Sequence, residues 1–167
     1  TKYGTVKSLI DKRDNQTYKV AKTKDGNCWM QENLKLDGGR TLTSADSNVV
    51  TDVILPANIT SGTSVDITKQ IASARPGYDG NYYNFCAATA TIDCSSLGPS
   101  SHITTSVCPK GWKLPGITGN PSFSDLFSHY NLPTTNVSGN YISQVEASPL
   151  YYSRAGVYNS SYYGQGE

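Results

Sequence analysis

Cys108-Pro109-Lys110-Gly111-Trp112-Lys113-Leu114-Pro115 is the stretch whose reading decides the fold of this chain. Its two prolines restrict φ and withhold two backbone donors, so the run between them is read as an extended entry strand and not as helix. Cys108 offers a covalent anchor at its start, Trp112 is large enough to anchor a core, and Gly111 lets the backbone bend or approach closely. Downstream, Ser122-Phe123-Ser124-Asp125 has the spacing of an N-cap with an acid three residues on. Phe123, Leu126, Phe127 and Tyr130 then follow at i, i+3, i+4 and i+7, which predicts one clear helix near 122–130.

Working outward, residues 5–10 and 17–22 read as strands separated by the polar turn Asp11-Lys12-Arg13-Asp14-Asn15-Gln16. Asp25-Gly26 is a tight-turn signal, after which Cys28-Trp29-Met30-Gln31-Glu32-Asn33-Leu34 is expected to return antiparallel and complete an N-terminal β-meander. Residues 37–78 form a long excursion rich in Gly, Ser and Thr, with short elements of its own and one short helix expected near 66–73. Pro76-Gly77-Tyr78-Asp79-Gly80 is turn chemistry that delivers the chain into 81–90, whose aromatic half favours a central strand and whose small half suits a close-packed interior. Residues 148–158 begin as a closing strand.

A chain of 167 residues suits a single domain, 1–167, with interior enough for a core. Its net charge is +1 with the basic residues scattered, so nothing in it forms the electrostatic footprint of a nucleic-acid or anionic-lipid binder. There is no apolar run of about 18 residues to span a membrane. Charged residues are only 16 %, whereas Tyr (12 residues), Ser, Thr, Asn and Gly are plentiful, a composition common in secreted β-rich proteins. The chain begins at Thr1 without Met and is read as a mature or trimmed product. Four cysteines with no Cys-x-x-Cys pair, beside two histidines, point to disulfides in an oxidising compartment and not to a metal site.

Three stretches carry a family resemblance: residues 25–34 (Asp25-Gly26-Asn27-Cys28-Trp29-Met30-Gln31-Glu32-Asn33-Leu34), residues 83–90 (Tyr83-Asn84-Phe85-Cys86-Ala87-Ala88-Thr89-Ala90) and the opening stretch at 108–115. Their order and context resemble the Fibrobacter major paralogous domain, FISUMP, over most of the chain from about residue 17 onward. The resemblance implies a bacterial secreted or surface-displayed α+β domain of the C-type lectin-like superfamily, with short antiparallel strands. It supplies no catalytic residues. It also implies that members continue into further strands past a segment like Tyr162-Tyr163-Gly164, and it leaves the excursion at 37–78 as variable territory.

Four cysteines allow three connectivities. The resemblance favours Cys28 with Cys108, which sit in its two most specific motifs, leaving Cys86 with Cys94 to close a local loop. The long bridge would contribute on the order of 4 kcal/mol by restricting the denatured chain. Trp29 and Trp112 are expected as structural anchors. The Glu-Pro-Asn, Gln-Pro-Asp and Trp-Asn-Asp signatures of calcium-dependent lectins are absent. Asp14-Asn15 and Asp46-Ser47-Asn48 lack the alternation of an EF-hand loop and read as solvated turns, so no cofactor is assigned and calcium has no motif.

His102 and His129 have no ligand spacing and read as loop or surface histidines. No Gly-x-Ser-x-Gly, His-Glu-x-x-His or phosphate loop occurs, and the chain is read as a non-enzyme. The adjacent pairs Tyr82-Tyr83, Tyr151-Tyr152 and Tyr162-Tyr163 would each, on a strand, send one ring inward and one outward. Outward tyrosines give rigid amphipathic contact area, which makes these six the candidate ligand-binding residues, against the plainer role of covering sheet edges and core. The expected function is a non-catalytic extracellular adhesion module that recognises a glycan or a surface protein. The alternative is a subunit of a surface fibre or pilus, self-associating by strand addition at its last strands.

Overall fold

A computed structural model describes residues 2–58, 71–73, 80–91, 104–115, 122–132, 157–159 and 162–164. Three strands, β1 (Val6–Asp11), β2 (Gln16–Lys22) and β3 (Cys28–Met30), form an antiparallel sheet in the order β1-β2-β3, which is the expected meander. Its register sets Leu9 against Tyr18 and Ala21 against both Val6 and Trp29. Each turn follows from its residues. In the first, Asn15 donates its N–H to Asp11 O at 2.7 Å and takes φ 61°, a left-handed conformation that asparagine tolerates. In the second, Gly26 holds φ +86°, donating to Thr23 O at 3.1 Å.

The excursion is more ordered than a loop. It contributes β4 (Thr41–Leu42), β5 (Ser47–Asn48) and β6 (Val53–Ile54), with β4 paired to β6. Leu42, Val49, Val53 and Leu55 from this region are buried in one core cluster with Leu36, Ala87, Ala90 and Val107. Residues 59–70, where most of the expected helix at 66–73 would lie, are outside those described. Residues 71–73 form strand β7 (Ile71–Ser73), paired antiparallel to β8 (Asn81–Tyr83).

The expected central strand at 81–90 is half strand and half helix. After β8 the backbone turns into α1 (Phe85–Thr89), because the Asn84 side chain accepts from Ala87 N at 2.9 Å and caps it. The alanines behind the cap are strong helix formers, and small side chains let α1 lie close to β9 (Ser106–Pro109). The opening stretch is likewise divided: β9 ends at Pro109, and a turn follows in which Gly111 takes φ +84° and Trp112 N–H donates to Pro109 O at 2.9 Å. Strand β5 pairs with β9 through a register shift between Ser47 and Asn48. Helix α2 (Phe123–Ser128) begins where its sequence predicts, with Ser122 Oγ accepting from Asp125 N at 3.0 Å. Its Leu126 is buried with Trp29 and Leu132 in a second core cluster. The hairpin of β10 (Val157–Asn159) and β11 (Tyr162–Gly164) completes the described elements.

The expectation of a disulfide-stapled α+β fold of the C-type lectin-like kind is corrected. The described architecture is a set of small antiparallel sheets with two short helices. Cys28 and Cys108 are free thiols, so the long bridge is not made. Cys86 is itself disulfide-bonded, and Cys94, the partner expected for it, lies outside the described residues. The link between the N-terminal hairpin and β9 is polar instead. Arg13 donates to the Asp11 carboxylate from Nε and Nη2, and from Nη1 to Ser47 Oγ at 3.0 Å and Val107 O at 2.7 Å. Two side chains of opposite charge thereby do the joining expected of two sulfurs.

Candidate functional site: an aromatic cleft between three motif stretches

A cleft of about 520 Å³ opens where β3 and the segment after it face β9 and the Gly111–Pro115 run. Its first wall is built from the turn outward. The Asp25 carboxylate accepts from Asn27 N at 3.1 Å, from Asn27 Nδ2 at 2.9 Å, from Trp29 Nε1 at 2.8 Å and from the Thr23 hydroxyl. Burial by itself would raise the pKa of Asp25, but these hydrogen bonds outweigh it and hold the carboxyl below its ordinary value. The ionised acid therefore fixes the indole plane of Trp29. That ring meets Phe123 of α2 at 5.2 Å between centroids and 40° between planes, and Phe123 meets Phe127 at 6.1 Å, within the range of tilted aromatic packing. The Lys24 ammonium sits 4.7 Å from the Tyr130 ring centroid, which helps to hold the end of α2 on the β2–β3 turn.

The opposite wall is Trp112 with Leu114 and Pro115, set by the Gly111 turn. Trp112 is half-buried, whereas Trp29 is buried. Both expected anchors therefore line the cleft, but only Trp29 is packed in a core cluster. Tyr83 joins the lining, as do Ala88 and Val107. Its hydroxyl is committed to structure, donating to Leu36 O at 2.6 Å, and burial pushes the phenol far above its usual value. Asn27, Glu32, Asn33 and Lys113 supply the polar part of the lining. Such a space, largely apolar with a few polar groups, has the dimensions and chemistry of a small-ligand site.

Of the six candidate tyrosines, Tyr83 alone among those described is placed in this lining. Tyr82 is half-buried on β8, opposite Ala72 of β7. Tyr162 and Tyr163 lie on β11, opposite Asn159 and Tyr158. Tyr151 and Tyr152 are outside the described residues, as is His102. His129 caps α2 at its C-terminal end, exposed, with Nδ1 2.9 Å from Asp125 O. Among the described residues no group of three or more His, Cys, Asp and Glu is gathered to hold a metal ion, and no helix is long and apolar enough to cross a membrane. Reading the sequence for tyrosines missed the cleft's main aromatic residues. The signal was present in the Asp25…Trp29 spacing and in the Gly111-Trp112 pair, each of which aims a tryptophan.

Both free cysteines line the cleft, Cys28 exposed and Cys108 buried. Burial pushes the Cys108 thiol up, against a smaller opposing effect of the hydrogen bond with Ser106. Alkylation of the folded protein at pH 8, read by peptide mass mapping, is expected to modify Cys28 first. Cys108 should react on the order of tenfold more slowly until denaturant is added. Equal rates in the folded state would contradict this placement. The chain matches no protein-family model, and no curated protein and no solved structure matches it.

Proposed function

We propose that this chain is a non-catalytic extracellular binding module that takes a glycan or a short protein segment into the Trp29–Trp112 cleft. One observation carries the reading: the three stretches behind the FISUMP resemblance, 25–34, 83–90 and 108–115, all contribute residues to this one cleft. Trp112 is the ligand-facing ring, since it is half-buried and stands on a turn, whereas Trp29 is held by Asp25 and α2. An indole face stacks equally well on the apolar face of a pyranose or on proline and aromatic side chains. Asn33 and Glu32 in the same lining have planar polar groups that fix orientation, Glu32 with one carboxylate oxygen already accepting from Lys19 N–H at 2.6 Å.

The test is a glycan array and a panel of extracellular proteins probed with wild type and with Trp112→Ala. Binding of at least one class is expected, weakened roughly 10- to 100-fold by the substitution, the scale of a central aromatic contact. Circular dichroism should show the variant folded, because Trp112 is outside both core clusters. Binding that ignores Trp112 would sink the cleft as the site.

A further inference from the structure

The three-stranded sheet leaves β1 as an edge. Lys22 N–H donates to Thr5 O at 3.2 Å, and bonded pairs alternate along an antiparallel ladder. Lys7, Leu9 and Asp11 therefore turn their peptide groups toward β2, while Val6, Ser8 and Ile10 turn theirs away from it. The side chains of the same three residues are exposed, Val6 at 43 % and Ile10 at 61 %. Just before the strand the chain is held against β2, with Gly4 N–H donating to Lys22 O at 2.7 Å, and Thr5 closes a turn on Lys2 O from both its N–H (3.3 Å) and its hydroxyl (2.7 Å). Among the described residues the strand has no proline and no bulge in its register, and the three residues facing outward carry no charge; its exposed lysine, Lys7, alternates to the other face of the sheet.

The pattern of this edge is complementary to itself. Val6, Ser8 and Ile10 read apolar, polar, apolar about Ser8. A two-fold axis at Ser8 sets Val6 opposite Ile10 of a second copy, Ser8 opposite Ser8, and Ile10 opposite Val6. All three outward-facing residues then become bonded pairs, and each apolar side chain gains an apolar cross-strand neighbour. Sliding by two residues in one direction would oppose Ser8 to Ile10 and Val6 to Lys12, losing both matches. We propose that β1 is a homodimerisation edge, pairing antiparallel with β1 of a second copy about an axis at Ser8 to form one continuous sheet. The contact is isologous, as closed two-fold assembly requires. A six-residue strand buries well under the roughly 1,000 Å² of a permanent interface, so the dimer is reversible and depends on concentration. It is independent of the cleft and of any ligand there.

Sedimentation equilibrium of the wild type, Ser8→Pro and Ile10→Lys, from micromolar up to about 1 mM, tests it. Wild type is expected to rise from 18.0 kDa toward twice that mass as concentration increases. Both variants should stay at the monomer mass. Ser8→Pro removes an N–H that β2 does not use, and its extended neighbours accept proline. Ile10→Lys changes only an exposed side chain and decides the matter if the proline variant does not fold. A wild type that stays at 18.0 kDa throughout would overturn the proposal. So would variants that dimerise as readily as wild type, since the contact would then lie elsewhere.

Discussion

Arg13→Ala is expected to destabilise the protein by about 3–5 kcal/mol, a large part of the 5–15 kcal/mol that a domain commonly has. The Arg13 and Asp11 side chains are 4 % and 1 % exposed, and their closest approach is 2.6 Å. Removing the guanidinium leaves a carboxylate in the interior with no counter-charge, and it also strips the hydrogen bonds to Ser47 Oγ and Val107 O. The loss therefore spreads over three places in the chain: the hairpin turn, β5 and β9. Arg13→Lys keeps the charge but cannot reproduce the planar fork, so it should fall between alanine and wild type. Replacing both partners by apolar residues, Asp11→Leu with Arg13→Met, should cost less than Arg13→Ala alone, because no buried charge is stranded. Urea denaturation measures all three. A midpoint for Arg13→Ala equal to that of wild type would show that the pair does not join the hairpin to β9.

Gly38→Ala is expected to cost about 3 kcal/mol and to lower the melting temperature by roughly 6–12 °C. A Cβ at this position would stand 1.7 Å from Pro56 O and 2.8 Å from Pro56 C, and a backbone carbonyl has no rotamer by which to move away. Relief requires residues 37–39 to part from 55–58, where the two segments are stitched together. Gly38 N–H donates to Asn58 Oδ1 at 2.9 Å, Gly39 N–H donates to Leu55 O at 3.0 Å, and the Asp37 carboxylate accepts from Asn58 and Asn81. Leu55 is fully buried, so parting the segments opens the main core cluster. Gly39→Ala is the control: it has φ +76° but nothing within 4 Å of an added Cβ, so only backbone strain of about 1 kcal/mol opposes it. Equal melting temperatures for the two variants would rule out the close approach as the cause.

The cleft and the β1 edge are separable surfaces, the first proposed for a ligand and the second for a second copy. They lie on different strands of the same sheet, β3 for the cleft and β1 for the edge. Dimerisation would thus present two clefts from one sheet and raise avidity for a repetitive surface without any change at either site. Asp25 connects sequence to site most directly here. A single turn residue both closes the β2–β3 hairpin and orients the cleft's Trp29 through its indole N–H.

What the sequence by itself determined is what short-range chemistry specifies. The meander follows from alternation and from turns at Asn15 and Gly26, and α2 follows from Ser122 and the Leu126-centred periodicity, because every interaction involved lies within a few residues. The cap at Asn84 was equally local, but the aromatic residues before it suggested a strand and masked the helix behind it. Only the tertiary structure decided the rest. Nothing near Arg13 in sequence indicates that it reaches Val107, 94 residues away, in place of the bridge expected between Cys28 and Cys108. Nor does composition reveal that the polar excursion lends Leu42, Val53 and Leu55 to the core, or that two tryptophans line one cleft together with Tyr83. Contacts of that kind depend on which surfaces the chain brings face to face. Many polar and aromatic residues were equally eligible for them until the sheets and helices had packed.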